Sequence, residues 1–231
     1  MILGTICCRG GSKGVFKKNT RLLNGIPLIV YTIETARKSI YLNDLIVSTD
    51  DELIMKIAQD KKVRVPFVRP ENLATDTAGK WPVFIHAVEE YEKLTGNCVS
   101  YIVDMDVTVP LKTTSDIDNA IVLALKNPHI DVVITGYEPE RNPYFNMMEI
   151  NKLGIAEMVK KSKKPIVRRQ DAPKVFSLTP AAYVIKKDAL YNFQHWSEAK
   201  CLISEMPRER AIDIDTEFDF KLIEFILNEQ K

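Results

Sequence analysis

The sequence predicts an α/β fold, with a doubly wound, mostly parallel sheet and helices on both faces. Short apolar runs of strand length alternate with amphipathic stretches of helix length from residue 2 to about residue 135. Glycine, aspartate and proline mark the boundaries between them. The 231 residues suit one domain with a modest insertion and bury enough apolar surface to fold without disulfides or a structural metal.

Ile2 to Cys8 is a continuous apolar run ending at a glycine-rich turn, as a strand buried on both faces should read. Pro27 opens a helix that carries Ile29, Ile33 and Ala36 on one face. Leu45–Thr49 is the second strand, and Asp50 is placed to cap a helix with Leu53, Ile54, Ile57 and Ala58 inward. Val63–Val68 reads as a short third strand. Trp81–Leu94 places Phe84, Val88, Tyr91 and Leu94 at helical spacing before Gly96. Tyr101–Val103 is the fourth strand. Ser115-Asp116-Ile117-Asp118 resembles a capping box opening a helix that Pro128 stops, and Asp131–Thr135 is the fifth strand. The rhythm breaks at about 138–178, where basic residues and prolines predict an inserted arm. Ala181–Ile185 resumes a strand, and Phe218–Leu227 closes with an amphipathic helix.

Charge and cysteine content exclude several function classes. Lys and Arg number 32 against 31 Asp and Glu, a net charge of +1, so no broad field draws nucleic acid or a membrane surface. Any bound anion must be held locally. Cys7, Cys8, Cys98 and Cys201 form no C-x-x-C pair, so four reduced thiols in a cytoplasmic protein are expected. The start of the chain reads as strand, not leader, and no apolar stretch reaches membrane-spanning length.

In open α/β sheets ligands bind at the carboxyl ends of the strands, which directs attention to the segments after the strands. After the first strand comes Arg9-Gly10-Gly11-Ser12-Lys13-Gly14, then Lys17-Lys18-Asn19. Glycines let backbone amides approach an anion, and Arg9, Lys13 and Lys18 add charge, so a triphosphate is the natural guest. The order is neither a Walker A loop nor G-x-G-x-x-G, and the plain alternative is a solvated basic turn. Near the last helix, Asp213 and Asp215 project from one face of an extended segment. Two adjacent carboxylates suit a hard cation such as Mg²⁺ bridging to phosphate; the alternative is acidic charge placed at a helix N-terminus.

Joined in order, these segments resemble the acylneuraminate cytidylyltransferases (CMP-sialic acid synthetases). The opening loop with Lys18-Asn19 and Leu23-Asn24-Gly25-Ile26-Pro27-Leu28 is similar to the family's first signature. Ser48-Thr49-Asp50, Arg69-Pro70 with Leu73-Ala74-Thr75-Asp76-Thr77-Ala78, Arg168-Arg169-Gln170-Asp171 with Pro173, and Asp213-Ile214-Asp215-Thr216 with Asp219-Phe220 follow. The resemblance implies a nucleotide-diphospho-sugar transferase-like fold, a homodimer formed through the arm, and CTP and a nonulosonic acid as substrates. It also implies that Arg9, Gly10, Gly11, Ser12, Lys13, Lys18, Asn19 and Arg69 hold the nucleotide. Lys13 would offset phosphate charge in the transition state, and Asp213 and Asp215 would be catalytic carriers of Mg²⁺. Asp106, Arg168, Arg169, Gln170, Phe176 and Tyr183 would face the sugar. Direct attack of the anomeric hydroxyl on the α-phosphorus needs no nucleophilic triad, consistent with only three histidines.

The chain departs from the family at Met105-Asp106-Val107-Thr108-Val109-Pro110-Leu111-Lys112, where L-Q-P-T-S-P-L-R is usual. Asp106 in place of glutamine points away from plain N-acetylneuraminate and towards a legionaminic- or pseudaminic-type acid. Asp106 could instead bind metal or cap a turn, and Phe176 and Tyr183 could be core aromatics. A transferase of the same fold using another base or a sugar phosphate is the alternative function. A non-catalytic relative is disfavoured because Lys13, Asp213 and Asp215 are all present.

Overall fold

The computed structural model describes residues 1–11, 14–162 and 164–229. In chain order its strands are β1 (Ile2–Cys7), β2 (Leu22–Leu23), β3 (Ile26–Pro27), β4 (Asp44–Ser48), β5 (Tyr101–Asp104), β6 (Val132–Tyr137), β7 (Met148–Ile150), β8 (Ala156–Met158), β9 (Ser177–Lys186) and β10 (Cys201–Glu205). The helices are α1 (Leu28–Ala36), α2 (Glu52–Asp60), α3 (Lys80–Thr95), α4 (Thr114–Lys126), α5 (Lys187–Asn192) and α6 (Glu217–Glu229).

Six strands form the central sheet in the order β10-β6-β9-β5-β1-β4. Only β9 runs antiparallel to its neighbours β5 and β6; the other pairings are parallel. The mostly parallel, doubly wound prediction therefore holds. Side chains alternate between two layers. Leu3, Ile46, Ile102, Ile134 and Ile185 pack with α3 and α5, through Phe84, Val88, Tyr91 and Leu190. On the opposite face Ile6 and Val47 pack with α1, α2 and α6, and Val103, Val133 and Val184 pack with α4.

Several local expectations need correction. The third strand is reduced to two isolated parallel bridges, Ile46 to Arg64 and Thr49 to Val68. Pro66 sits between them and has no N–H to donate, so the ladder cannot continue. Asp51, not Asp50, caps α2: its Oδ1 accepts from Ile54 N at 2.9 Å, leaving Asp50 for another task. The capping box of α4 sits two residues earlier than expected. Thr113 and Asp116 hydrogen-bond each other's backbone amides, and Ser115 lies inside the helix. Strand β10 was missing from the sequence reading because its apolar run, Cys201-Leu202-Ile203, is short and lies at the sheet edge. Gly96, with φ of 70°, ends α3 as expected.

Within the arm, β7 and β8 form an antiparallel hairpin separate from the main sheet. Asn151 Oδ1 accepts from Leu153 N and Ile155 N, and Gly154 supplies the left-handed residue the turn needs (φ 77°). No helix is long and apolar enough to cross a membrane, among the described residues. The four cysteines are free thiols.

Candidate active site

A cleft of about 370 Å³ lies at the carboxyl ends of β1 and β5, where the topology rule places ligands. Cys7, Cys8, Arg9, Gly11, Gly14, Lys18, Asn19, Arg69, Lys80, Asp106, Thr108 and Asp215 are among its walls. Ser12 and Lys13 lie outside the described residues.

The loop after β1 is shaped by close backbone approaches. Asp50 Oδ1 accepts from Gly10 N at 3.0 Å, the task left to it by Asp51's capping. A Cβ on Gly10 would lie 2.6 Å from Asp51 Oδ2, and one on Gly14 would strike the Asp215 carbonyl. Buried Asn19 donates to the Arg9 carbonyl at 2.8 Å. Arg9 pairs with Asp76 at 2.6 Å, drawing the Leu73–Ala78 segment against the loop.

Lys18 joins the two ends of the chain. Its Nζ donates to the Ile214 carbonyl at 2.5 Å and lies 3.8 Å from Asp215 Oδ1. Ile214 N donates to the Thr108 carbonyl at 2.9 Å, so the acidic segment is fixed from both sides. Asp213 Oδ1 is buried without a hydrogen-bond partner, and burial, helped by Asp106 and Asp215, raises its pKa. The Asp215 side chain is 77% exposed. Thr216 then caps α6, its Oγ1 accepting from Asp219 N at 3.3 Å while Asp219 Oδ2 accepts from Thr216 N at 2.8 Å.

Arg69 is buried, and the reason is structural. Its Nε donates to Ser48 Oγ at 3.2 Å and its Nη2 to the Ser48 carbonyl, so it braces the end of β4 beneath the cleft.

The segment after β5 carries a charge cluster that sequence reasoning only partly anticipated. Asp106 Oδ1 accepts from Thr108 N and Oγ1, both at 3.1 Å, and its Oδ2 accepts from Lys80 Nζ at 2.6 Å. Burial would raise the Asp106 carboxyl, yet Lys80 and Thr108 bring it down to about 2. Asp104 is fully buried; its Oδ1 accepts from Thr5 Oγ1 at 2.9 Å while Oδ2 has no hydrogen bond. Burial raises the Asp104 pKa, against the opposing charge of Lys80. Lys112 is buried and donates to Thr32 Oγ1, the Asp106 carbonyl and the Val109 carbonyl. Burial pulls its ammonium down to about 7.

The expected sugar-side residues are not all gathered in this cleft. Asp106 is there, and Tyr183 lies beside it, its ring 5.2 Å from Lys80 Nζ. Arg168, Arg169 and Gln170 sit on an exposed turn of the arm. There Arg168 pairs with Asp171 at 2.8 Å and Arg169 donates to the Pro139 carbonyl at 2.7 Å. Arg169 and Gln170 line a separate arm hollow, and Phe176 lines another with Met147 and Arg208. Lys80 was missed because it opens a helix, where a lysine reads as ordinary surface; only the fold sets it against Asp106.

Comparison with known proteins identifies the family. The model of the cytidylyltransferase family aligns with residues 3–229. The Campylobacter coli post-translational flagellin modification protein B is 35% identical over 229 residues, covering 99% of this chain and 96% of that protein. A CMP-N,N'-diacetyllegionaminic acid synthase of Campylobacter jejuni is 35% identical over 227 residues, covering 98% and 95%. The structure of CMP:2-keto-3-deoxy-manno-octonic acid synthetase complexed with CTP superposes with a TM-score of 0.71 at 13% identity. It covers 100% of this chain and 99% of the other, a likeness of fold.

Proposed function

Because the chain belongs to the cytidylyltransferase family, we propose that it joins CMP from CTP to the anomeric hydroxyl of a nonulosonic, sialic-acid-like sugar and releases pyrophosphate. The observation that carries this reading is the clip made by Lys18, which holds the glycine loop and the Asp213–Asp215 segment across one cleft. A nucleoside triphosphate laid between them meets amides and cations on one wall and Asp215 on the other, with Asp213 buried two residues before it. Relatives that include a legionaminic acid synthase, together with Asp106 where glutamine is usual, favour a legionaminic- or pseudaminic-type acid.

The residues fit Mg²⁺. Asp213 offers a buried oxygen with no partner, Asp215 an exposed one two residues on, and both are hard oxygen donors. No group of three or more His, Cys, Asp or Glu able to hold a metal exists among the described residues, so phosphate oxygens and water would complete the shell. When bound, the ion would neutralise phosphate charge and lower the pKa of a nearby hydroxyl. The chain's own residues then do the rest by positioning. Arg9, Gly10, Gly11, Ser12, Lys13, Lys18 and Asn19 hold the triphosphate. The hydroxyl oxygen forms its bond to the α-phosphorus as the bond to the bridging oxygen breaks; pyrophosphate leaves with the electron pair. A carboxylate of the Asp213–Asp215 pair accepts the hydroxyl proton. Arg69 acts from below by fixing the end of β4.

The protein acts as a homodimer in the cytoplasm, in glycan biosynthesis. Met148, Ile150, Leu153 and Ile155 are exposed on the arm hairpin, an apolar surface that a second subunit would cover. Arg168, Arg169, Gln170 and Phe176 would then serve the partner's cleft.

The test incubates the protein with CTP, Mg²⁺ and a panel of nonulosonic acids, following pyrophosphate and the CMP-sugar. Turnover with CTP alone among the four nucleoside triphosphates, abolished by Asp213→Asn and by Lys13→Ala, is expected. Transfer from another triphosphate, or to a sugar phosphate, would overturn the reading.

A further inference from the structure

Lys112 is a buried lysine that gives its N–H groups to uncharged oxygens. It is 3% exposed and donates to the Asp106 carbonyl at 2.6 Å, to Thr32 Oγ1 at 2.8 Å and to the Val109 carbonyl at 3.0 Å. An ammonium has three donors, so these three acceptors use all of them. The negative charge of Asp106, Asp104 and Asp213 favours the ammonium against its burial. A leucine or methionine would still fill the same space at lower cost, because no charge would leave water.

What the lysine supplies is a link. Two of its acceptors are backbone atoms of one turn, at 106–109 after β5, and the third belongs to α1. Thr32 Oγ1 itself donates to the Asp106 carbonyl at 3.3 Å, closing a triangle of helix, turn and lysine. The turn shows its other side to the cleft, where Asp106 and Thr108 are walls. With those side chains facing out, the Asp106 and Val109 carbonyls face in, and an inward carbonyl needs a donor.

The same turn carries the acidic segment. The Thr108 carbonyl accepts from Ile214 N at 2.9 Å, and Ile214 stands between Asp213 and Asp215. Lys18 grips the Ile214 carbonyl from the cleft side. Lys112 is its counterpart from behind, one turn removed.

We propose that Lys112 is a positioning residue for CMP transfer: its ammonium fastens the 106–109 turn to α1, and the turn, through the Thr108 carbonyl, sets the 213–215 segment against the cleft. Lys112 acts through Thr108 and Ile214, not on nucleotide or sugar. This deepens the cytidylyltransferase reading above and rests on it.

The experiment joins steady-state kinetics to hydrogen exchange of the metal-free protein, comparing the Ile214 amide with that of Val133 inside the sheet. Lys112→Met keeps the side chain's length and removes its donors. Its kcat should fall about 10–100-fold, as an ångström of misplacement commonly costs. KM for CTP should stay within about twofold, because the glycine loop keeps its contacts. Ile214 should exchange about tenfold faster and Val133 at its wild-type rate, since local opening is separable from global unfolding. Thr32→Val removes only the α1 anchor, and should shift kcat and Ile214 exchange in the same directions by less. It carries the test where Lys112→Met does not fold. Unchanged kcat in the folded variants would overturn the proposal. Equal acceleration at both amides would overturn it too, by marking a lysine that only stabilises the fold. So would a raised KM for CTP at wild-type kcat, which would place the effect on nucleotide binding. A wild-type protein that transfers no CMP sinks the parent reading, and Ile214 exchange then decides separately whether Lys112 holds the segment.

Discussion

Asp213 shows at the residue scale how the proposed metal-holding role is set against stability. Its carboxyl has a raised pKa in the folded chain, so the charged form is penalised there. The sign follows from linkage: an acid whose folded pKa is raised favours the fold at low pH and opposes it once the pH passes the unfolded value near 3.8. Asp213→Asn should therefore raise the melting temperature of the metal-free protein at pH 7, by about 2 °C, while abolishing turnover. Calorimetry beside a pyrophosphate assay checks both halves, and a lowered melting temperature would show that the carboxylate is structural. At Gly14 the constraint is steric. Gly14→Ala places a methyl on the Asp215 carbonyl, so one wall of the cleft must move. CTP affinity measured by titration should fall at least about tenfold, as displacing bound geometry by an ångström commonly costs.

Helix ends and the links between elements carry the next group of effects. Asp116 is buried, closes the α4 capping box with Thr113, and receives a bidentate bond from Arg210 at 2.7 and 3.0 Å. That pair ties α4 to the segment just ahead of Asp213. Burial would raise the Asp116 pKa, but Arg210 and Thr113 hold it below the usual 3.8. Its contribution is present above that value and is lost as the pH falls through the folded pKa. Arg210→Ala leaves a buried carboxylate half-paired and should cost about 2–3 kcal/mol in urea unfolding at pH 7. The cost should shrink in acid, and an equal cost at every pH would remove the ion pair as its cause. Sequence reading at this scale succeeded where periodicity was strong, as in α3 and the buried strands β1, β4 and β6. It failed where a single atom decides. The choice between Asp50 and Asp51 as cap depended on a glycine amide forty residues away, and the loss of the third strand depended on one missing proline N–H. Strand β10 was illegible because an edge strand needs only half an apolar pattern.

Across the whole molecule, the arm is the least self-sufficient part. Leu153 is 82% exposed and Ile150 68%, on a hairpin that pairs with no other strand among the described residues. An Ile150→Asp/Leu153→Asp variant should sediment as a monomer, and if arm arginines serve the neighbouring cleft its turnover should drop at least about tenfold, the upper range for charge-assisted bonds lost together. A monomer with full activity would remove the arm from the chemistry. The candidate site was legible in two halves, the glycine loop and the acidic pair, because each is a short ordered motif. What joins them was not. Lys18 read as one more cation beside a phosphate loop, yet its bond partner is the Ile214 carbonyl, a backbone atom that no side-chain pattern can announce. Lys80 escaped for the same reason: only the register that brings Thr5 beside Asp104 places the start of α3 against Asp106.

The Lys18 clip also has a consequence for synthesis. Ribosomes emit a chain from its N-terminus at roughly 5–20 residues per second, so the glycine loop and the first three parallel strands emerge well before Ile214 and Asp215. Until those residues arrive, Lys18 has no carbonyl to grip and the cleft lacks its far wall. A nascent chain stalled short of residue 213 would therefore emerge without the ability to retain nucleotide.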